Sequence, residues 1–162
     1  MDARSITHFV ASTHQVFETM LSLSVTPGKP TASCNVPRFQ SDVSGVIGMT
    51  GDVVGMVVLS FPFSTAKGVL KAFTGSDIEP NSPDFSDAVG ELVNMISGAA
   101  KAKFEGLSVS ISCPSVVVGP GHRVQQASDT TCITIPFECA AGPFSVEVAI
   151  RKVESAIVTK AA

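Results

Sequence analysis

The sequence predicts an α+β domain, a largely antiparallel sheet covered by helices. Three observations carry that reading. Apolar residues recur at helical spacing in three segments, they alternate with polar ones in the later strands, and the segments follow one another as helix, strands, helices, strands.

The first helix is expected from Ser5 to Leu23, where Ile6, Phe9, Val10, Thr13, Val16, Phe17, Met20 and Leu21 fall on one stripe and VTPGKP ends the pattern. SGVIGMT and VVGMVVLSF then flank Gly51-Asp52, a two-residue turn between β-branched runs, which predicts a buried hairpin. STAKGVLKAF (64–73) reads as a short helix. The polar TGSDIEPNSP segment follows, and its Ser82-Pro83 pair suits the cap and first position of a long helix through DAVGELVNMISGAAKAKFEG. Past Gly106 the period becomes two: LSVSISC, then PSVVVG led by Pro114, then GPGHRVQQASD as a loop. In the closing hairpin, Ile133, Ile135, Phe137 and Cys139 alternate across AAGP with Phe144, Val146, Val148 and Ile150. Pro136 cannot donate to a ladder, so its strand is expected at a sheet edge or at a bulge. Both halves share a loose helix-then-hairpin plan, which suggests an internal duplication.

At 162 residues the chain is read as one domain, 1–162, large enough for a core without staples. Charged residues are only 15% and mean hydropathy is +0.36, so the surface is short of charge and a homo-oligomer is expected. The net charge of −3 and the absence of a basic run argue against nucleic acid. MDARSITHFVASTHQ lacks a basic stretch leading into an apolar one, and no window of eighteen apolar residues occurs, so a cytoplasmic protein that does not span a membrane is expected. Cys34, Cys113, Cys132 and Cys139 form no CxxC pair and have no histidine cluster beside them, so they read as buried free thiols. His8 and His14 do not share a helix face, so no metal site is expected. His122 reads as stabilising a turn.

The long helix holds the most informative pattern. Val89, Leu92, Val93, Ile96, Ala99, Ala100 and Phe104 form its apolar arc, while Asp87, Glu91, Asn94, Gly98, Lys101 and Glu105 gather opposite. Glu91 and Asn94, three residues apart, lie about 4.5 Å apart along the axis and project together. Gly90 and Gly98 flank them. Each interior glycine costs about 1 kcal/mol relative to alanine, so two in one helix imply close approach by another surface, of this protein or of a separate molecule.

The D-x-x-x-E-x-x-N pattern of Asp87, Glu91 and Asn94 on a helix, followed by a strand and Pro114, resembles the CheC/CheX/FliY family of chemotaxis phosphatases. The order of first helix, VSGVIGMTGDVVGMVVLSFP hairpin, motif helix, ISCPSVVVGPGH segment and closing hairpin is similar to CheX-type members over nearly the whole chain. The first helix offers HQVFETML, with Glu18 but no Asn three residues on, so a single motif per chain is expected. The resemblance implies a CheC-like fold, Glu91 and Asn94 as the catalytic pair, Asp87 at the motif's first position, and a homodimer joined at sheet edges. Pro114 departs from the family pattern by standing nearer to Asn94.

The implied substrate is the aspartyl phosphate of a CheY-like response regulator, which brings its own divalent metal, Mg, so that this chain binds no cofactor. With no phosphate loop or HExxH in the sequence, positioning is the chemistry left to it. Asn94 is no general base at neutral pH, but its amide can hold a water in line with the scissile P–O bond. Glu91 suits the grip of a lysine at the partner's active site, and Asp87 adds charge or stabilises the helix start. The competing reading is a non-catalytic docking module that binds a regulator or a flagellar component through the same helix.

Overall fold

A single antiparallel sheet organises the chain. The structure, a computed structural model, describes residues 3–32, 41–125 and 130–153. Its elements are α1 (Ala3–Val16), a π-helical turn (Phe17–Leu21), β1 (Val25–Pro27), β2 (Ser41–Gly51), β3 (Val53–Phe61), α2 (Phe63–Thr74), α3 (Pro83–Lys101), β4 (Val109–Ile111), β5 (Ser115–His122), β6 (Ile133–Cys139) and β7 (Gly142–Lys152). Strands run in the order β1-β6-β7-β3-β2, and β4 and β5 both pair with the outer side of β2. Every pairing is antiparallel. This is the predicted α+β architecture, with a helix ahead of strands in each half and α1 packed against α3.

Period two decides which strand residues meet the helices. On β2, Gly45 lies against Val89 and Val93 of α3, and its neighbours on that face, Val43 and Ile47, are fully buried. Four phenylalanines fill the centre. Phe144 stacks on Phe17 at 4.7 Å and on Phe137 at 5.1 Å, with Phe61 tilted against it at 5.4 Å. The first helix differs from expectation at its end, where it widens into the π-helical turn and closes at Ser22 in the left-handed region (φ 55°). That turn buries Phe17 and Leu21 while Met20, expected on the apolar stripe, is exposed.

The predicted hairpin forms, but its connection is not a two-residue turn: β2 and β3 pair as far as Met49 with Gly55, a register that centres the connection on Asp52. Gly51 has φ +104°, and Asp52 locks the turn by accepting from the Ser108 N–H at 2.7 Å while its own N–H donates to the Ser108 carbonyl at 2.8 Å. Pro136 needs neither an edge strand nor a bulge. Its carbonyl accepts from the Gly28 N–H at 2.8 Å, on the β1 side. Because the N and C=O of one residue point the same way in an antiparallel strand, its missing N–H also falls on that side and the β7 ladder loses nothing.

The segment expected as the loop GPGHRVQQASD is strand as far as His122. His122 accounts for this: its Nδ1 donates to the Gly119 carbonyl at 2.7 Å, and its Nε2 meets the Ser44 hydroxyl of β2 at 2.8 Å. The free-thiol reading also needs correction. Cys113 is free but exposed, Cys139 is free and half-buried, and Cys132 is disulfide-bonded. Cys34 lies outside the described residues.

On the sheet face away from the helices, Glu147 of β7 lines a small cavity with Ser44, Ser60 and His122, and burial pushes its carboxyl above the usual carboxylate range. A raised carboxyl holds its proton more tightly folded than unfolded, so its contribution to stability is present in acid and is lost as pH rises through the folded value. Glu147→Gln is therefore expected to melt at a higher temperature than wild type at neutral pH, with the gain vanishing on acidification below the ordinary carboxylate range. Thermal melts across pH check this.

Candidate active site

α3 starts where the sequence placed it. The Ser82 hydroxyl accepts from the Phe85 N–H at 3.3 Å, and Pro83 occupies the first position. Ser82→Ala is expected to cost about 1 kcal/mol, read as a lower denaturant midpoint with an unchanged slope. Phe85, Val89, Leu92, Val93, Ile96 and Ala100 are buried as one stripe, which fixes the helix rotation and turns the opposite side outward.

On that outward side Asp87 and Glu91 are exposed and Asn94 is half-buried. None of the three side chains forms a hydrogen bond or ion pair with a described residue. The first-turn acid is Asp84, so stabilising the helix start falls to Asp84 and not to Asp87. Asp87 instead borders an open groove with Asp84 and the loop residues Asp77, Ile78 and Glu79. Lys71 pairs with Asp77 at 2.9 Å and Lys67 with Glu79 at 3.6 Å, which leaves the two helix carboxylates as the unpaired acids of that groove.

The two glycines separate. Gly90 is buried, and a Cβ there would meet the Pro114 ring at 3.3 Å and Val116 at 3.6 Å, so the approaching surface belongs to this protein. At Gly98 a Cβ would come only to 4.0 Å from the Ile111 side chain, which is ordinary contact. The position of Pro114 follows from a bulge in the outer strand. Met49 pairs with Ile111 and Val46 with Ser115, so two β2 residues face the three residues Ser112, Cys113 and Pro114. The Ser112 hydroxyl secures the bulge by accepting from the Gly48 N–H at 2.9 Å. The extra residue brings Pro114 against Gly90, beside the polar stripe of α3. The short run from Asn94 to Pro114 therefore still delivers the proline to the motif helix.

Chemically, this surface offers a carboxylate and an amide held on a helix, both without partners among the described residues and both on the outward side. Among the described residues no group of three or more His, Cys, Asp or Glu side chains could hold a metal ion. The bulge and the groove beside Asp87 were not recognised from sequence, since nothing local distinguishes an inserted strand residue from a longer loop.

The family model described as "Chemotaxis phosphatase CheX" matches residues 43–138, from β2 into β6 and including all of α3. The chain belongs to the CheX family. Over 129 residues it is 35% identical to the CheY-P phosphatase CheX of Thermotoga maritima, covering 77% of this chain and 82% of that protein. The crystal structure of a CheC-like superfamily protein from a Shewanella species matches with a TM-score of 0.84 and 30% identity, over 93% of this chain and 99% of that one. A chain of the CheX–CheY–BeF3–Mg2+ complex from Borrelia burgdorferi has the same fold, with a TM-score of 0.77 at 20% identity over 91% of this chain and 98% of that one. No helix of the described residues of this CheX-family chain is long and apolar enough to cross a membrane.

Proposed function

We propose that this protein hydrolyses the aspartyl phosphate of a CheY-like response regulator, using Asn94 to orient the attacking water and Glu91 to hold the partner in register. The observation that carries the reading is a Glu–Asn pair on one outward-facing helix stripe, with no partner for either side chain among the described residues. Family membership and the activity named for the Thermotoga relative support it. In the step itself, the water oxygen attacks phosphorus while the bond from phosphorus to the aspartyl oxygen breaks, leaving a carboxylate on the regulator and inorganic phosphate that retains the water's protons. A divalent metal, Mg, is the regulator's own and neutralises the phosphoryl oxygens there. The Asn94 amide fixes the water along the line of displacement, and the Glu91 carboxylate takes a partner lysine in a charge-assisted hydrogen bond. Asp87 adds negative charge beside the same contact.

The protein works in the cytoplasm as a homodimer. The outer strand supports this arrangement, since Val117 and Val118 of β5 are exposed at 41% and 37% on the strand that ends the sheet. Sedimentation showing a monomer at micromolar concentration would remove the dimer from the proposal. The activity is tested by phosphate release from phosphorylated CheY-like regulators with and without this protein. Faster release is expected with the cognate regulator, whereas tight binding without acceleration across the regulators would favour the non-catalytic docking module.

A further inference from the structure

Beyond the far end of α3, about 21 Å along the axis from Asp87 to Lys101, the molecule has a second concave site unrelated to the motif face. The start of α1 and the turn after α3 enclose a cavity of about 330 Å³, lined by Arg4, Ser5 and His8 from α1, Lys103 and Glu105 from the turn, and Lys152 at the end of β7. Three of the chain's 11 Lys and Arg residues meet there, against a single carboxylate, in a protein whose net charge is −3. That concentration runs against the charge of the whole molecule.

Arg4 and Lys103 are the cations on which the site rests. The described ion pairs use none of Arg4, Lys103 or Glu105. Among the described residues the Lys103 ammonium makes a single long hydrogen bond, to Gln15 at 3.5 Å. The His8 ring packs edge-on against Phe104 with centroids 5.1 Å apart, which places an imidazole in the wall beside an aromatic surface.

We propose that this cavity binds a small organic phosphate. A guanidinium fork and an ammonium are the groups that recognise phosphate oxygens, and the Phe104 wall suits an organic portion more than a bare ion. The volume, near the lower end of ligand pockets at roughly 300–1,000 Å³, fits a small metabolite. The proposal does not rest on the Glu91–Asn94 reading.

Calorimetric titration of the full chain with inorganic pyrophosphate at low ionic strength tests it. Saturable binding at one site per chain is expected. It should weaken at least tenfold in Arg4→Ala/Lys103→Ala and stay unchanged in Lys29→Ala, which removes an exposed cation outside the cavity. Glu105→Gln, which removes the opposing carboxylate, should tighten binding and gives a second readout if the double variant fails to fold. Absence of saturable heat, equal weakening in Lys29→Ala, or no tightening in Glu105→Gln would overturn the proposal. Arg4- and Lys103-dependent co-sedimentation with phosphatidic acid vesicles, without pyrophosphate binding, would also overturn it by assigning the site to a lipid headgroup.

Discussion

Glu91→Ala is expected to weaken the complex with the phosphorylated regulator by about 2–5 kcal/mol and to lower kcat/KM with it, the usual cost of removing one partner from a desolvated charge pair. The size of the effect follows from where the side chain stands. Glu91 is exposed in the free protein and bonds to no described residue, so its loss leaves no internal group unsatisfied and the melting temperature should not change. The deficit then arises only in the complex, where a partner lysine is left buried without its carboxylate. Affinity for a regulator carrying a non-hydrolysable phosphate mimic checks this. Wild-type affinity in Glu91→Ala would assign the grip to another residue, and Asp87, one turn earlier and also exposed, is the first to examine.

Asn94→Ala should behave differently. It is expected to lower kcat on the order of a hundredfold, the scale seen when one well-placed polar group is removed from a transition state, with KM little changed. Asn94 is half-buried, yet its amide makes no hydrogen bond with a described residue, so truncation orphans nothing and the fold survives. A role confined to docking would raise KM instead. Steady-state kinetics separate the two outcomes, and a melt of the variant confirms that it is folded.

The legible parts of the fold are those whose signals are local. Ser82-Pro83 marks the start of α3 by its own chemistry, and the stripe from Val89 to Ala100 fixes which side faces outward, so Glu91 and Asn94 share the outward side, Glu91 exposed and Asn94 half-buried. The β2–β3 hairpin, though not its two-residue turn, and the alternation of β6 and β7 are similarly local. What escaped the sequence depends on distant partners. Gly90 implied close approach by a surface of this protein or of a separate molecule, and the first holds: the surface is Pro114, delivered by a bulge whose existence depends on pairing with β2. Gly119–His122 reads as a loop from its Gly and Pro content, yet the His122 bond to Ser44 pins it to the sheet from 78 residues away. Pro136 is tolerated inside the sheet because of the side on which its nitrogen lies, which composition does not reveal.

The most direct test of the central claim is a single-turnover measurement. The phosphorylated regulator is mixed with excess protein, enough to saturate it, and loss of the acyl phosphate is followed for wild type and for Asn94→Ala alongside unaided decay. Saturation removes affinity from the comparison, so the rates report only what the bound helix does to the phosphoryl group. Decay much faster than unaided is predicted for wild type, with about a hundredfold of that acceleration lost in Asn94→Ala although the complex still forms. Equal rates for Asn94→Ala and wild type would contradict the account.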